Sequence, residues 1–160
     1  MGVPVTVRVQ RQDFDIGAEI EAVRRAGADV GAVVSFTGVC RAESGRLAAL
    51  ELEHYPGMAE GEIVRIAQEA TTRWPLAAVT VIHRHGRIAA GENIVLVVVA
   101  SEHRQAAFAA AEFLMDYMKS RAPFWKKEHL SGGGEGGWVE AHPADEAIAN
   151  RGRSSPTHRD

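Results

Sequence analysis

The chain has 160 residues, 46% of them hydrophobic and 24% charged, which is enough to bury the core of a single domain. Its formal charge of -3 gives no global pull toward nucleic acid or an anionic membrane, so anion binding has to come from a local cluster of cations. A lone cysteine, Cys40, excludes an internal disulfide framework. The apolar run at residues 94–100 falls far short of the roughly 20 residues that cross a bilayer, and no basic, then apolar, start marks a secretion signal, so a cytoplasmic protein is expected.

Residues 3–9 alternate Val3, Val5, Val7 and Val9 with other residues, the period of a half-buried strand. Asp13 or Asp15 is placed to cap a helix that carries Ile16, Ile20 and Val23 on one face. Residues 30–39 are rich in β-branched side chains. After a polar, glycine-containing stretch at 41–46 an alternating pattern resumes at Leu47, which predicts two strands joined by a loop. Met58, Ile63, Ile66, Ala67 and Ala70 then recur at helical spacing until Pro75 stops the pattern. Residues 79–83 and 94–100 read as two more strands, the second wholly buried, with turn signals at Gly86 and at 90–93 between them. Ser101 is the expected cap of a long Ala-rich helix over 103–120, which closes before Ala122 and Pro123. The glycine-dense stretch 131–137 reads as a flexible loop, and Trp138 with Val139 as a short strand. Strands interrupted by helices without a regular β-α-β rhythm predict an α+β fold with a mostly antiparallel sheet. Residues 1–145 are expected to form one domain and 146–160 a polar, disordered tail.

The richest candidate site is the segment MDYMKSRAPFWKKE at 115–128, where Lys119, Arg121, Lys126 and Lys127 stand beside Phe124 and Trp125. Lys119 lies four residues after Met115 on one helix face, so its stem is expected to follow apolar surface and its ammonium group to be partly desolvated. Desolvation and neighbouring cations favour the neutral amine, which can act as nucleophile or base. Basic residues near a helix C-terminus also simply complement the helix dipole, and residue types alone leave both readings open. His103 and Arg104 open the same helix, where free N–H groups and a guanidinium suit a phosphate, although a solvated helix start accounts for them as well. Arg41 stands at a strand end beside a turn, a position where ligand sites gather. Cys40 lacks an identifiable base and reads as a buried, inert thiol. His83 and His85 share a strand face and could join His54 around a metal. No cysteine pair, HExxH or phosphate-binding loop accompanies them, and no metal site is expected.

Four segments, FTGVCR at 36–41, LEHYPGM at 52–58, VIHR at 81–84 and the segment 115–128, resemble in order and spacing the large subunit of molybdopterin synthase. The similarity extends over residues 31–140. It implies a hammerhead-type α+β fold, a central homodimer of large subunits, and a small subunit docked at each end of the resulting heterotetramer. It also implies a sulfurtransferase of molybdenum cofactor biosynthesis, with no resident cofactor. Such an enzyme takes two sulfurs from the thiocarboxylated C-terminal Gly-Gly of the small subunit and adds them to cyclic pyranopterin monophosphate to form molybdopterin.

Carried over residue by residue, Lys119 and Lys126 match catalytic lysines. Arg41, His103 and Arg104 match residues that line the substrate and its phosphate, the last two reaching across the dimer interface. Val39, Cys40, Lys127 and Glu128 match flanking substrate-binding positions. Val39 stands where some relatives carry lysine, and the loop at 42–46 is shorter and less polar than in relatives. The glycines of 131–137 are internal, whereas a sulfur carrier ends on Gly-Gly, so the chain reads as the acceptor of sulfur. Two alternatives accompany this reading: a non-catalytic module that docks an acidic partner tail or a phosphate ligand, and a metal-dependent hydrolase built on His54, His83 and His85.

Overall fold

In the computed structural model, residues 2–139 are described; the expected tail at 146–160 lies outside them. Val5–Gln10 (β1) pairs in parallel with Leu76–Arg84 (β4). β4 pairs antiparallel with Asn93–Ser101 (β6), and β6 likewise with Ala32–Val39 (β2), giving the order β1-β4-β6-β2. The two central strands are covered on both faces, which is why they read as apolar runs rather than as alternating patterns.

Ile16–Arg24 (α1) starts at Asp15, whose carboxylate accepts the Ala18 N–H at 3.0 Å; Asp13 instead accepts from the side chain of Asn93. Ile16, Ile20 and Val23 of α1 pack on one face of the sheet against Ile82, Leu96 and Val98. Met58–Arg73 (α2) and Arg104–Ser120 (α3) cover the other face, where Ile63, Ala107, Ala110 and Leu114 meet Val79, Val81, Val97 and Val99. The alternation along β4 and β6 therefore divides two apolar layers between two sets of helices. Ser101 does not cap α3. It stays in β6 and donates its hydroxyl to the Pro75 carbonyl at 2.8 Å, while His103 takes the cap position without a side-chain bond.

Leu47–His54 (β3), Gly86–Ala89 (β5), Phe124–Leu130 (β7) and Glu135–Val139 (β8) form a second sheet of order β5-β3-β7-β8, antiparallel throughout. The sequence predicts one sheet; the chain builds two. The glycine-dense stretch is a tight hairpin rather than a flexible loop. Leu130 N–H bonds to the Gly134 carbonyl at 3.1 Å, and Gly133 and Gly134 adopt φ of +88° and +90°, where a Cβ would be strained. Among the described residues, no helix is long and apolar enough to cross a membrane.

Candidate active site

The strand registers bring several chain segments to one edge of the first sheet. β4 ends there with His83 opposite Val95, and β2 ends there with Val39 opposite Asn93. α3 leaves the far end of β6 after only Glu102 and His103 and packs back along the sheet, so its last turn, with Lys119, returns to the same edge. After three intervening residues β7 begins at Phe124 and carries Lys126 two positions on, with Phe124 opposite His54 of β3. Val39 and Arg41, His83, Lys119, and Lys126 are thus gathered by topology from four stretches of chain: β2 and its exit, β4, α3 and β7.

His83 is the buried centre of this group, 5% exposed. Its Nδ1 lies 2.8 Å from the Arg84 carbonyl, and its ring stacks on Phe124 with centroids 3.8 Å apart and planes at 15°. Burial pushes its pKa down to about 4; the bond to the Arg84 carbonyl resists, and the charges of Lys126, His54 and Lys119 add to the depression. Two lysines from different elements therefore bear on one buried ring. Lys119 itself is exposed, so the partial desolvation expected from its helix position is absent in the single chain. Lys126 is half-buried.

The remaining candidates divide. Val39, 47% exposed, and Arg41 present open surface at the end of β2. Cys40 between them is only 1% exposed; it packs with Leu52 and Ile88, and burial pushes its thiol up, as befits an inert core residue. Glu128 shares the sheet face of Lys126 and is held by an ion pair from Arg46. Lys127 points to the opposite face, where it pairs with Glu135 at 2.6 Å and lies 5.7 Å over the Trp138 ring. Strand alternation thus separates two lysines that are adjacent in sequence. That same outer face carries an open groove of about 300 Å³ lined by Glu53, Tyr55, Trp125 and Trp138, which sequence reasoning did not single out.

His103 and Arg104 lie at the other end of α3, both exposed, with the His103 side chain 83% accessible. Arg104 and Lys119 are fifteen residues apart along one helix, ~22 Å at 1.5 Å per residue, so a single chain does not bring them together. The three histidines do not form a metal centre either. His54 and His85 lie 4.4 Å apart by ring centroid, but His83 is stacked on Phe124 and its Nδ1 faces a carbonyl. Among the described residues, no group of three His, Cys, Asp or Glu is arranged to hold a metal ion. The Nδ1 of His54 is buried without a hydrogen-bond partner among them.

A four-stranded sheet covered by three helices, a second antiparallel sheet, and a pair of lysines at a helix-to-strand junction define an α+β protein with a cationic site at one sheet edge. The chain belongs to the MoaE protein family, whose sequence pattern matches residues 9–121. It is 71% identical over 150 residues to the molybdopterin synthase catalytic subunit of Mesorhizobium japonicum, covering 94% of each chain. Among solved structures it is similar to the MoaE protein from Burkholderia ambifaria, at 45% identity and a TM-score of 0.79, covering 93% of this chain and 98% of that one. It is also similar to molybdopterin synthase from Staphylococcus aureus, at 30% identity and a TM-score of 0.74, covering 82% of this chain and 95% of that one. The α+β fold expected from the sequence is the fold of these structures.

Proposed function

We propose that this chain is the catalytic subunit of a molybdopterin synthase. It transfers two sulfurs, each from the thiocarboxylated C-terminus of a small partner subunit that is left as a carboxylate, to cyclic pyranopterin monophosphate, forming the dithiolene of molybdopterin. The observation that carries this reading is the placement of Lys119 and Lys126 on either side of the short α3–β7 junction, in a chain 71% identical to a molybdopterin synthase catalytic subunit. The substrate phosphate and the partner's thiocarboxylate are both anions, and holding them together requires fixed positive charge. Lys119 acts on the thiocarboxylate carbonyl, and Lys126 neutralises developing charge and helps move protons as each sulfur adds to the pterin side chain. Arg41 and Val39 line the approach at the end of β2, and Glu128 flanks Lys126.

The length of α3 gives a physical reason for a dimer. Since one chain holds Lys119 and His103–Arg104 ~22 Å apart, the phosphate ligands of each site come from the second large subunit of a central homodimer. A small subunit at each end completes a heterotetramer. Residues 1–145 act as one domain on this reading, and the single buried thiol suits a reducing cytoplasm.

Reconstitution tests the proposal. Purified protein mixed with thiocarboxylated small subunit and cyclic pyranopterin monophosphate is expected to yield dithiolene product, at a rate that chelators leave unchanged. Binding of both reactants without product would replace the enzyme by a docking module, and a rate abolished by chelators would restore the metal-hydrolase alternative.

A further inference from the structure

We propose that His83 is a positioning residue for the lysine pair: its ring, locked by the Arg84 carbonyl and stacked on Phe124, fixes the α3–β7 junction and so sets where Lys119 and Lys126 stand. The inference rests on the reading above, in which those two lysines carry the sulfur transfer. Three observations support it independently of any titration.

Phe124 lies between the two lysines in the chain, at the first position of β7, and only Arg121, Ala122 and Pro123 separate it from the end of α3. That junction is tightly wound: the N–H groups of Arg121 and Ala122 both bond to the Tyr117 carbonyl, at 2.8 and 3.1 Å, and Phe124 N–H bonds to the Ala122 carbonyl at 2.8 Å. A displacement of the Phe124 backbone is therefore carried along the chain toward both lysines. Second, the ring of Phe124 is gripped from both sheets, by His83 of β4 at 3.8 Å and by His54 of β3 at 5.8 Å. Third, the His83 ring cannot turn freely. Its Nδ1–H donates to the Arg84 carbonyl at 2.8 Å, and it is almost wholly buried. A locked ring stacked on the residue that joins the two lysines is what precise placement requires, since a misplacement of about 1 Å costs roughly 100-fold in rate.

Two replacements separate the stack from the hydrogen bond. His83→Gln removes the ring and leaves a flexible amide in its place; His83→Phe keeps an aromatic ring and loses the donor to the Arg84 carbonyl. Both are assayed in the complete assembly with small subunit, beside Lys119→Ala and Lys126→Ala. His83→Gln is expected to lower kcat about tenfold or more with KM for the pyranopterin nearly unchanged, and His83→Phe to recover kcat to within about threefold of wild type. Should His83→Gln fail to fold, Phe124→Leu removes the same stack from its other side and is expected to give the same kcat loss. Wild-type kcat in His83→Gln, or equal losses in His83→Gln and His83→Phe, overturns the positioning role. If the two lysine variants run at the wild-type rate, the catalytic reading of the lysines falls instead; if they are inactive while His83→Gln is normal, only the inference about His83 falls.

Discussion

Lys119→Ala in the reconstituted assembly is expected to lower kcat for dithiolene formation by roughly 100-fold or more, the scale seen when one fixed charge-stabilising donor is removed from a reaction centre. The structure makes this a clean experiment. Lys119 is exposed on the last turn of α3, so its truncation opens no cavity and is expected to change stability by less than about 0.5 kcal/mol. Any rate loss then reports chemistry rather than unfolding. A fall in kcat with little change in KM marks an interaction made in the transition state, whereas a rise in KM alone would recast Lys119 as a docking residue for the partner tail. Lys119→Arg keeps the charge but not the compact, flexible ammonium, and recovers only part of the rate. Full activity in Lys119→Ala would remove the residue from the mechanism.

The second large effect is on stability in acid. His83 holds a pKa of about 4 in the folded chain against the ordinary 6.5. Between these values the unfolded chain binds a proton that the folded chain refuses, so stability rises with pH across that window. The contribution is fully present above about pH 6.5 and is lost as pH falls through about 4, amounting to about 3 kcal/mol between pH 7 and pH 4. The charged groups that bear on the ring are Lys126 on β7, His54 on β3 and Lys119 on α3, with the Arg84 carbonyl the opposing contact. Urea unfolding of wild type and His83→Phe at pH 7, 5.5 and 4 measures the effect. The wild type should lose stability more steeply than the variant, and equal slopes would show that His83 titrates as an ordinary histidine.

The helices and the first sheet were readable because their physics is local. Ile16, Ile20 and Val23 sit at helical spacing behind a capping aspartate, and the central strands β4 and β6 carry long, mostly apolar runs. β7 was not readable, because its residues, FWKKEHL, show neither apolar alternation nor a buried run. Its strand character comes from partners: β3 on one side, where His54 faces Phe124 and Leu52 faces Lys126, and β8 on the other. The same blindness hid the difference between Lys126 and Lys127, which differ only in which side of a strand they leave. Composition suggested a basic patch there. Only the strand shows that one lysine joins His83 and the other joins Glu135. His83 itself was weighed as a metal ligand, since nothing in the sequence reveals that an aromatic ring from a distant strand would lie flat upon it.

The length of α3 reaches beyond a single active site. If each such helix gives its last turn to one site and its first turn to the other, a lesion at either end disables a different half of the pair. Chains carrying Lys119→Ala and chains carrying His103→Ala with Arg104→Ala would each be inactive alone. In a mixed dimer, both lesions fall on one site and the second site is wholly wild type. Two dead alleles expressed together would then rescue one another, because each site draws its residues from two chains.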